Sequence, residues 1–145
     1  MLNKKLKIGT GTMTSRVNNK YLISEFDGAI ELFVTDKKLV SLKANYQFNS
    51  SDSYEISLTF PADLKGRHDF NEEFTSPFWF SHSDPFITKS YKSIPAAGFI
   101  DIQKLDLVEG TLEATFNFSF EDFDTKKTHQ VHDGQLKAQG LVIVP

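Results

Sequence analysis

The chain has 145 residues, 19 acidic and 16 basic, with a formal net charge of -3 and no cysteine. That length is enough for one domain spanning residues 1–145 with a core of its own. The missing cysteine excludes a disulfide framework, a thiolate zinc site and a cysteine nucleophile, and the interspersed charges lack the basic stripe of a nucleic-acid-binding surface. No stretch reaches the apolar length of a transmembrane helix, so no membrane span is expected. The opening Met1-Leu-Asn-Lys-Lys-Leu-Lys is basic but no apolar run follows it. As written, the chain is expected in the cytoplasm, or exported if a leader has been removed.

From Leu6 to Val17 threonine and glycine dominate, which suits an edge or entry strand, and Asn18-Asn19 reads as a turn. From Phe26 the even positions Phe26, Gly28, Ile30, Leu32 and Val34 read as one buried face, although Phe33 and Ala29 blur it. Asp36-Lys37-Lys38 is a hairpin turn. The next two strands alternate cleanly, with Val40, Leu42, Ala44, Tyr46 and Phe48 inward on the first and Tyr54, Ile56, Leu58 and Phe60 inward on the second. Pro61 ends the second, because proline cannot donate to a ladder.

From Pro61 to Pro95 the alternation breaks, leaving short strands at Gly66 to Phe70 and Phe78 to His82 and a concentration of aromatics that includes Phe70, Phe74, Phe78, Trp79, Phe80, Phe86 and Tyr91. Regular structure resumes at Gly98 to Asp106, and Glu109-Gly110 turns the chain into its clearest strand, Thr111 to Phe123. There Leu112, Ala114, Phe116, Phe118 and Phe120 share one face. In the last long strand the apolar parity changes between Val131 and Leu136, which places a β-bulge with a left-handed glycine at Asp133-Gly134. No segment of helical length shows a 3.6-residue period. The pattern gives an all-β fold, a single antiparallel β-sandwich, with an open or flattened β-barrel as the alternative.

Gly11-Thr-Met-Thr-Ser-Arg-Val-Asn-Asn, Tyr54-Glu-Ile-Ser-Leu-Thr-Phe-Pro, Gly98-Phe-Ile-Asp-Ile, Glu109-Gly-Thr-Leu-Glu-Ala-Thr-Phe-Asn-Phe and Val131-His-Asp-Gly-Gln-Leu resemble segments of a family of small β-sandwich lipoproteins of Bacteroidota, a domain of unknown function. The resemblance implies an antiparallel sandwich and exported relatives, and it brings no catalytic residues. There is no lipid-bearing cysteine here, so membrane anchoring does not carry over.

Chemistry-bearing residues are few. His129 and His132 face opposite ways on a regular strand, so no metal ion is expected between them unless the bulge turns one round. Glu121, Asp122 and Asp124 lack the glycine and terminal glutamate of a calcium loop. His68-Asp69 and His82-Ser-Asp84 each pair an imidazole with a carboxylate, but neither comes with a nucleophile motif. The better signal is Phe78-Trp79-Phe80: if both phenylalanines are buried, Trp79 faces outward. The residues expected to touch a partner or ligand are Phe78, Trp79, Phe80, His82 and Phe86, with no cofactor. The leading expectation is a non-catalytic protein-interaction module, of the adaptor or immunity type, with a protein partner. A small-molecule or glycan binder using residues 77–86 is the alternative, and a hydrolase using His68 or His82 is the third.

Overall fold

A computed structural model describes residues 9–36, 38–71 and 77–144, apart from the side chain of Lys20. Lys37, Phe74 and the opening through Ile8 lie outside the described residues. The chain forms β1 (Thr10–Tyr21), β2 (Ile23–Thr35), β3 (Leu39–Gln47), β4 (Ser53–Pro61), β5 (Gly66–Asp69), β6 (Phe78–Ser83), β7 (Thr88–Lys92), β8 (Gly98–Asp106), β9 (Thr111–Glu121), β10 (Thr128–Gln139) and β11 (Val142–Ile143). Among the described residues there is no helix, and therefore none long and apolar enough to cross a membrane.

All the strands belong to one sheet in the order β5-β8-β9-β10-β1-β2-β3-β4-β6-β7, antiparallel throughout except for β11, which runs parallel to the end of β2. The fold is thus all-β, and of the two arrangements open to the sequence it takes the barrel-like one, a strongly curled half-barrel. Two features produce this. The pairing of β1 with β10 joins the two ends of the chain and makes one sheet of what local hairpins alone would leave as two. Register shifts in β1, β2, β8 and β10 then add bend and twist, as an unpaired extra residue does.

The curl carries β6 over β9, and their inward phenylalanines meet face to face. Phe78 stacks on Phe118 with ring centroids 4.6 Å apart, and Phe80 stacks on Phe120 at 4.6 Å. Phe78, Phe80, Phe116, Phe118 and Phe120 are fully buried, each contributing roughly 1.5–3 kcal/mol of burial free energy. After β7 the chain crosses back, the Ser93 amide donating to the Phe78 carbonyl at 2.9 Å and the Ile94 amide to the Ser119 carbonyl at 2.7 Å. These two bonds fasten the rim of the curled sheet to β9.

Three local expectations need correction. Leu32 and Val34 do not share the buried face of β2. The register slips between Ile30 and Leu32, so Phe33 and Thr35 turn inward, and the blurring caused by Phe33 was the trace of that bulge. The chain does not reverse at Asn18-Asn19. Asn19 adopts a left-handed φ of 61° within β1, its side-chain Nδ2 donates to the Thr128 carbonyl at 2.9 Å, and the reversal comes at Leu22. The bulge in β10 lies between Val131 and Gly134 as expected, yet Asp133, with φ of 51°, takes the left-handed position. Gly134 is required for another reason: a Cβ there would sit 2.6 Å from the Phe116 ring.

The turn end as candidate functional site

Antiparallel order brings four turns to one end of the half-barrel: β1–β2, β3–β4, β6–β7 and β9–β10. Three of them are braced by a side-chain oxygen that accepts from amides just ahead of it. Asp84 Oδ1 accepts from the Phe86 and Ile87 amides at 2.8 and 2.9 Å, Asn49 Oδ1 from those of Ser51 and Asp52 at 2.9 and 2.7 Å, and Asp122 Oδ1 from that of Asp124 at 2.9 Å. The β1–β2 turn has no such brace among the described residues. It places Leu22 at a left-handed φ of 61° instead.

Each of the four turns holds a large apolar side chain in water. Leu22 is 61% exposed, Phe48 49%, Phe86 95%, Ile87 53% and Phe123 57%. Beneath them lies an aromatic layer centred on Tyr21, whose ring meets those of Phe80, Tyr91, Phe120, His82 and His129 edge to face. The Tyr21 and Tyr91 hydroxyls share a hydrogen bond of 2.8 Å, and burial followed by that bond pushes the Tyr21 phenol far above its ordinary range.

A pocket of about 400 Å³ opens between three of these turns. His82 and His129 form its inner wall, both buried. The His82 ring stacks on Tyr54 at 4.7 Å, and its Nε2 donates to Asp52 Oδ1 at 2.9 Å, which is the chief reason the Asp52 carboxyl lies below the usual carboxylate range. The His129 Nδ1 donates to the Asn18 carbonyl at 3.3 Å. Asp84, Asp122, Asp124, Lys89 and Lys127 supply the charged lining, and Lys89 is bonded to Asp124. Burial pushes the Asp122 carboxyl up, but the amides of Asp124 and Thr125, the Thr125 hydroxyl and nearby His129 outweigh it and hold Asp122 below its ordinary value. A larger hollow of about 820 Å³ lies mainly on the outer face of the sheet, where Arg16, Glu25, Asp27 and Asn117 face solvent. It holds no imidazole, so the concentration of chemistry favours the smaller pocket.

The sequence-derived site residues do not form one surface. Phe78 and Phe80 are core, and Trp79, 43% exposed, faces outward as their parity requires. It lines a groove with Ile94, Pro95, Phe123, Lys92 and Glu121 on the outside of the barrel. His82 lies in the pocket wall and Phe86 on the apolar rim. The carboxylate beside His82 is Asp52, on the adjacent turn, rather than Asp84 as sequence proximity suggested. His68 donates to the Lys65 carbonyl at 2.7 Å while Asp69 pairs with Arg67, so those neighbours do not act together. His129 faces inward, whereas His132 bonds Asp133 on the outer side, and among the described residues no group of three or more His, Cys, Asp or Glu could hold a metal ion. Leu22, Ile87 and Phe123 were missed, and Phe48, expected inward, lies instead just past the end of β3 with half its surface in water. The signal that could have found them was an apolar residue inside or beside each turn sequence.

Searches against protein-family models, curated proteins and solved structures found no match to this chain.

Proposed function

We propose that this protein is a non-catalytic protein-interaction module, of the adaptor or immunity type, that meets its partner through the turn end. The observation that carries this reading is the ring of apolar side chains held in water by four converging turns. Neither stability nor solubility selects for such residues there, because turns favour glycine, asparagine and aspartate. Leucine at a left-handed φ is especially unfavourable, and Leu22 gains little burial in return. Clustered, rigidly presented apolar groups rimmed by polar ones are what a binding face requires.

The test is retention of a partner from an extract of the native host by the immobilised chain, with variants at both ends of the barrel. Phe86→Ser combined with Ile87→Ser should lower retention tenfold or more, since truncated anchors cost about 2 kcal/mol or more. Val108→Ser, at the 97% exposed tip of the β8–β9 turn on the opposite end, should leave retention intact. Equal retention by all three proteins would overturn the reading.

A second reading, a glycan binder, is favoured by the groove in which Trp79 and Phe123 stand beside Ser90, Ser93, Lys92 and Glu121. Trp79 is the chain's only tryptophan, so its fluorescence reports directly on oligosaccharide titrations, and an unchanged spectrum would exclude this reading. The hydrolase reading has its imidazole and carboxylate in His82 and Asp52. Among the described residues, however, the His82 ring bonds only Asp52 and no hydroxyl nucleophile.

A further inference from the structure

Resting on the partner reading above, we propose that the pocket within the apolar rim receives the cationic head of a basic side chain from the partner, the guanidinium of an arginine or the ammonium of a lysine. Three observations converge on this chemistry, the first being the fixed imidazoles. A carbonyl oxygen can only accept, so His129 carries its proton on Nδ1, directed at Asn18. Likewise the Asp52 carboxylate takes the His82 Nε2 proton. In the neutral rings this leaves His129 Nε2 and His82 Nδ1 as bare acceptors in the wall of the pocket, with no partner among the described residues. His129 is only 3% exposed and His82 8%, yet neither nitrogen is among the buried side-chain atoms that lack a partner, so each ring is held by its surroundings while its free nitrogen stays open to the pocket.

The second observation is the charge left over. Lys89 and Asp124 neutralise each other, and of the charges that remain in the lining Asp84 and the buried Asp122, neither with an ion-pair partner among the described residues, outnumber the exposed Lys127. Both already accept amide protons that brace their turns, so each is fixed in place as well as charged. The third is the rim. Leu22 and Ile87 line the pocket mouth, where the aliphatic stem of an arginine or lysine would lie once its head had entered. An anionic head would meet carboxylates and lone pairs. A wholly apolar group would leave both imidazole acceptors desolvated and unbonded.

The chain's four histidines supply an internal control, since His82 and His129 line the pocket and His68 and His132 lie outside it. N-acetyl-L-argininamide is titrated into the full chain at pH 8 and low salt while the histidine ring resonances are followed by NMR. The expected result is a saturable shift at His82 and His129, none at His68 and His132, and none with the neutral citrulline analogue. Asp84→Asn removes the charge while keeping a carbonyl oxygen for the turn, and it should weaken the probe at least fivefold. Asp122→Asn is the second variant of the same kind. Val108→Ser, at the opposite end of the barrel, should leave the probe unaffected. No saturable shift, an equal response to the citrulline analogue, or wild-type affinity in both Asn variants would overturn the proposal. The probe needs no partner, so failure of this pocket and failure of the partner reading are seen in separate assays.

Discussion

The inner face of the sheet and its turn end use the same residue types to opposite ends. Phe116, Phe118 and Phe120 follow one another along β9 at 1%, 0% and 0% exposure, whereas Phe48, Phe86 and Phe123 lie in or beside turns at 49%, 95% and 57%. Nothing intrinsic to phenylalanine separates them. Every second residue of a strand is delivered to the interior by the pleat, while a turn braced by its own aspartate or asparagine leaves much of each ring in water, even where Phe123 meets Tyr91 and Phe48 meets Tyr54 at one edge. The inner face therefore pins the fold, and the turn end is free to carry residues that the fold does not need.

The largest expected effect is on the inner face. Phe118→Ala should destabilise by roughly 3–5 kcal/mol in denaturant unfolding, since it opens a cavity between β9 and β6, while Phe86→Ala should stay within about 0.5 kcal/mol of wild type. Comparable losses at the two sites would erase the distinction between the regions. Next comes Gly134→Val. Its Cβ would enter the Phe116 ring, and overpacking of this kind costs typically 1–3 kcal/mol. Because Gly134 is not itself left-handed, Gly134→Ala should also destabilise, by steric conflict alone. If alanine were tolerated without loss, the close approach would be wrong.

The aromatic layer that joins the two regions makes stability depend on alkaline pH. Burial, with smaller contributions from Asp52 and Tyr46, pushes the Tyr54 phenol up to about 12, and Tyr21 is pushed further still. Above pH ~10 the unfolded chain releases these protons and the native state keeps them. The unfolded state then binds fewer protons, so stability must fall as pH rises through this window. Urea midpoints measured between pH 8 and 11 should decline accordingly, and Tyr54→Phe should flatten the decline. A flat profile in wild type would place both hydroxyls in water.

Much of this fold is legible from period two alone. β3, β4 and β9 need no tertiary information, because half-buried antiparallel strands write their burial directly into the sequence. β7 does not: in Thr88-Lys-Ser-Tyr-Lys only Tyr91 is buried, so no alternation exists to be read. The choice between sandwich and half-barrel turned on the β1–β10 pairing, a contact between distant parts of the chain that no local pattern encodes. The bulge in β10 was visible as a change of parity. Which residue would take the left-handed position was not, because aspartate tolerates that conformation and the glycine was claimed by Phe116.

The site was less legible than the fold for a related reason. His82 and His129 lie 47 positions apart in sequence and become neighbours of one tyrosine only after the sheet curls. The Asp52 partner of His82 comes from the β3–β4 turn, 30 positions away in sequence. Convergence of turns at one end follows from strand order, which the sequence does not state.

The claim that the turn end is kept for recognition at a cost to stability is tested most directly at Leu22. Its left-handed φ of 61° and 61% exposure mean that asparagine, which tolerates that conformation, should be the better residue for folding. Leu22→Asn should gain about 1 kcal/mol, raising Tm by roughly 2–4 °C for a chain of this size, while lowering partner retention severalfold. A variant that melts at or below the wild-type temperature, or that retains the partner as well as wild type does, would contradict the account.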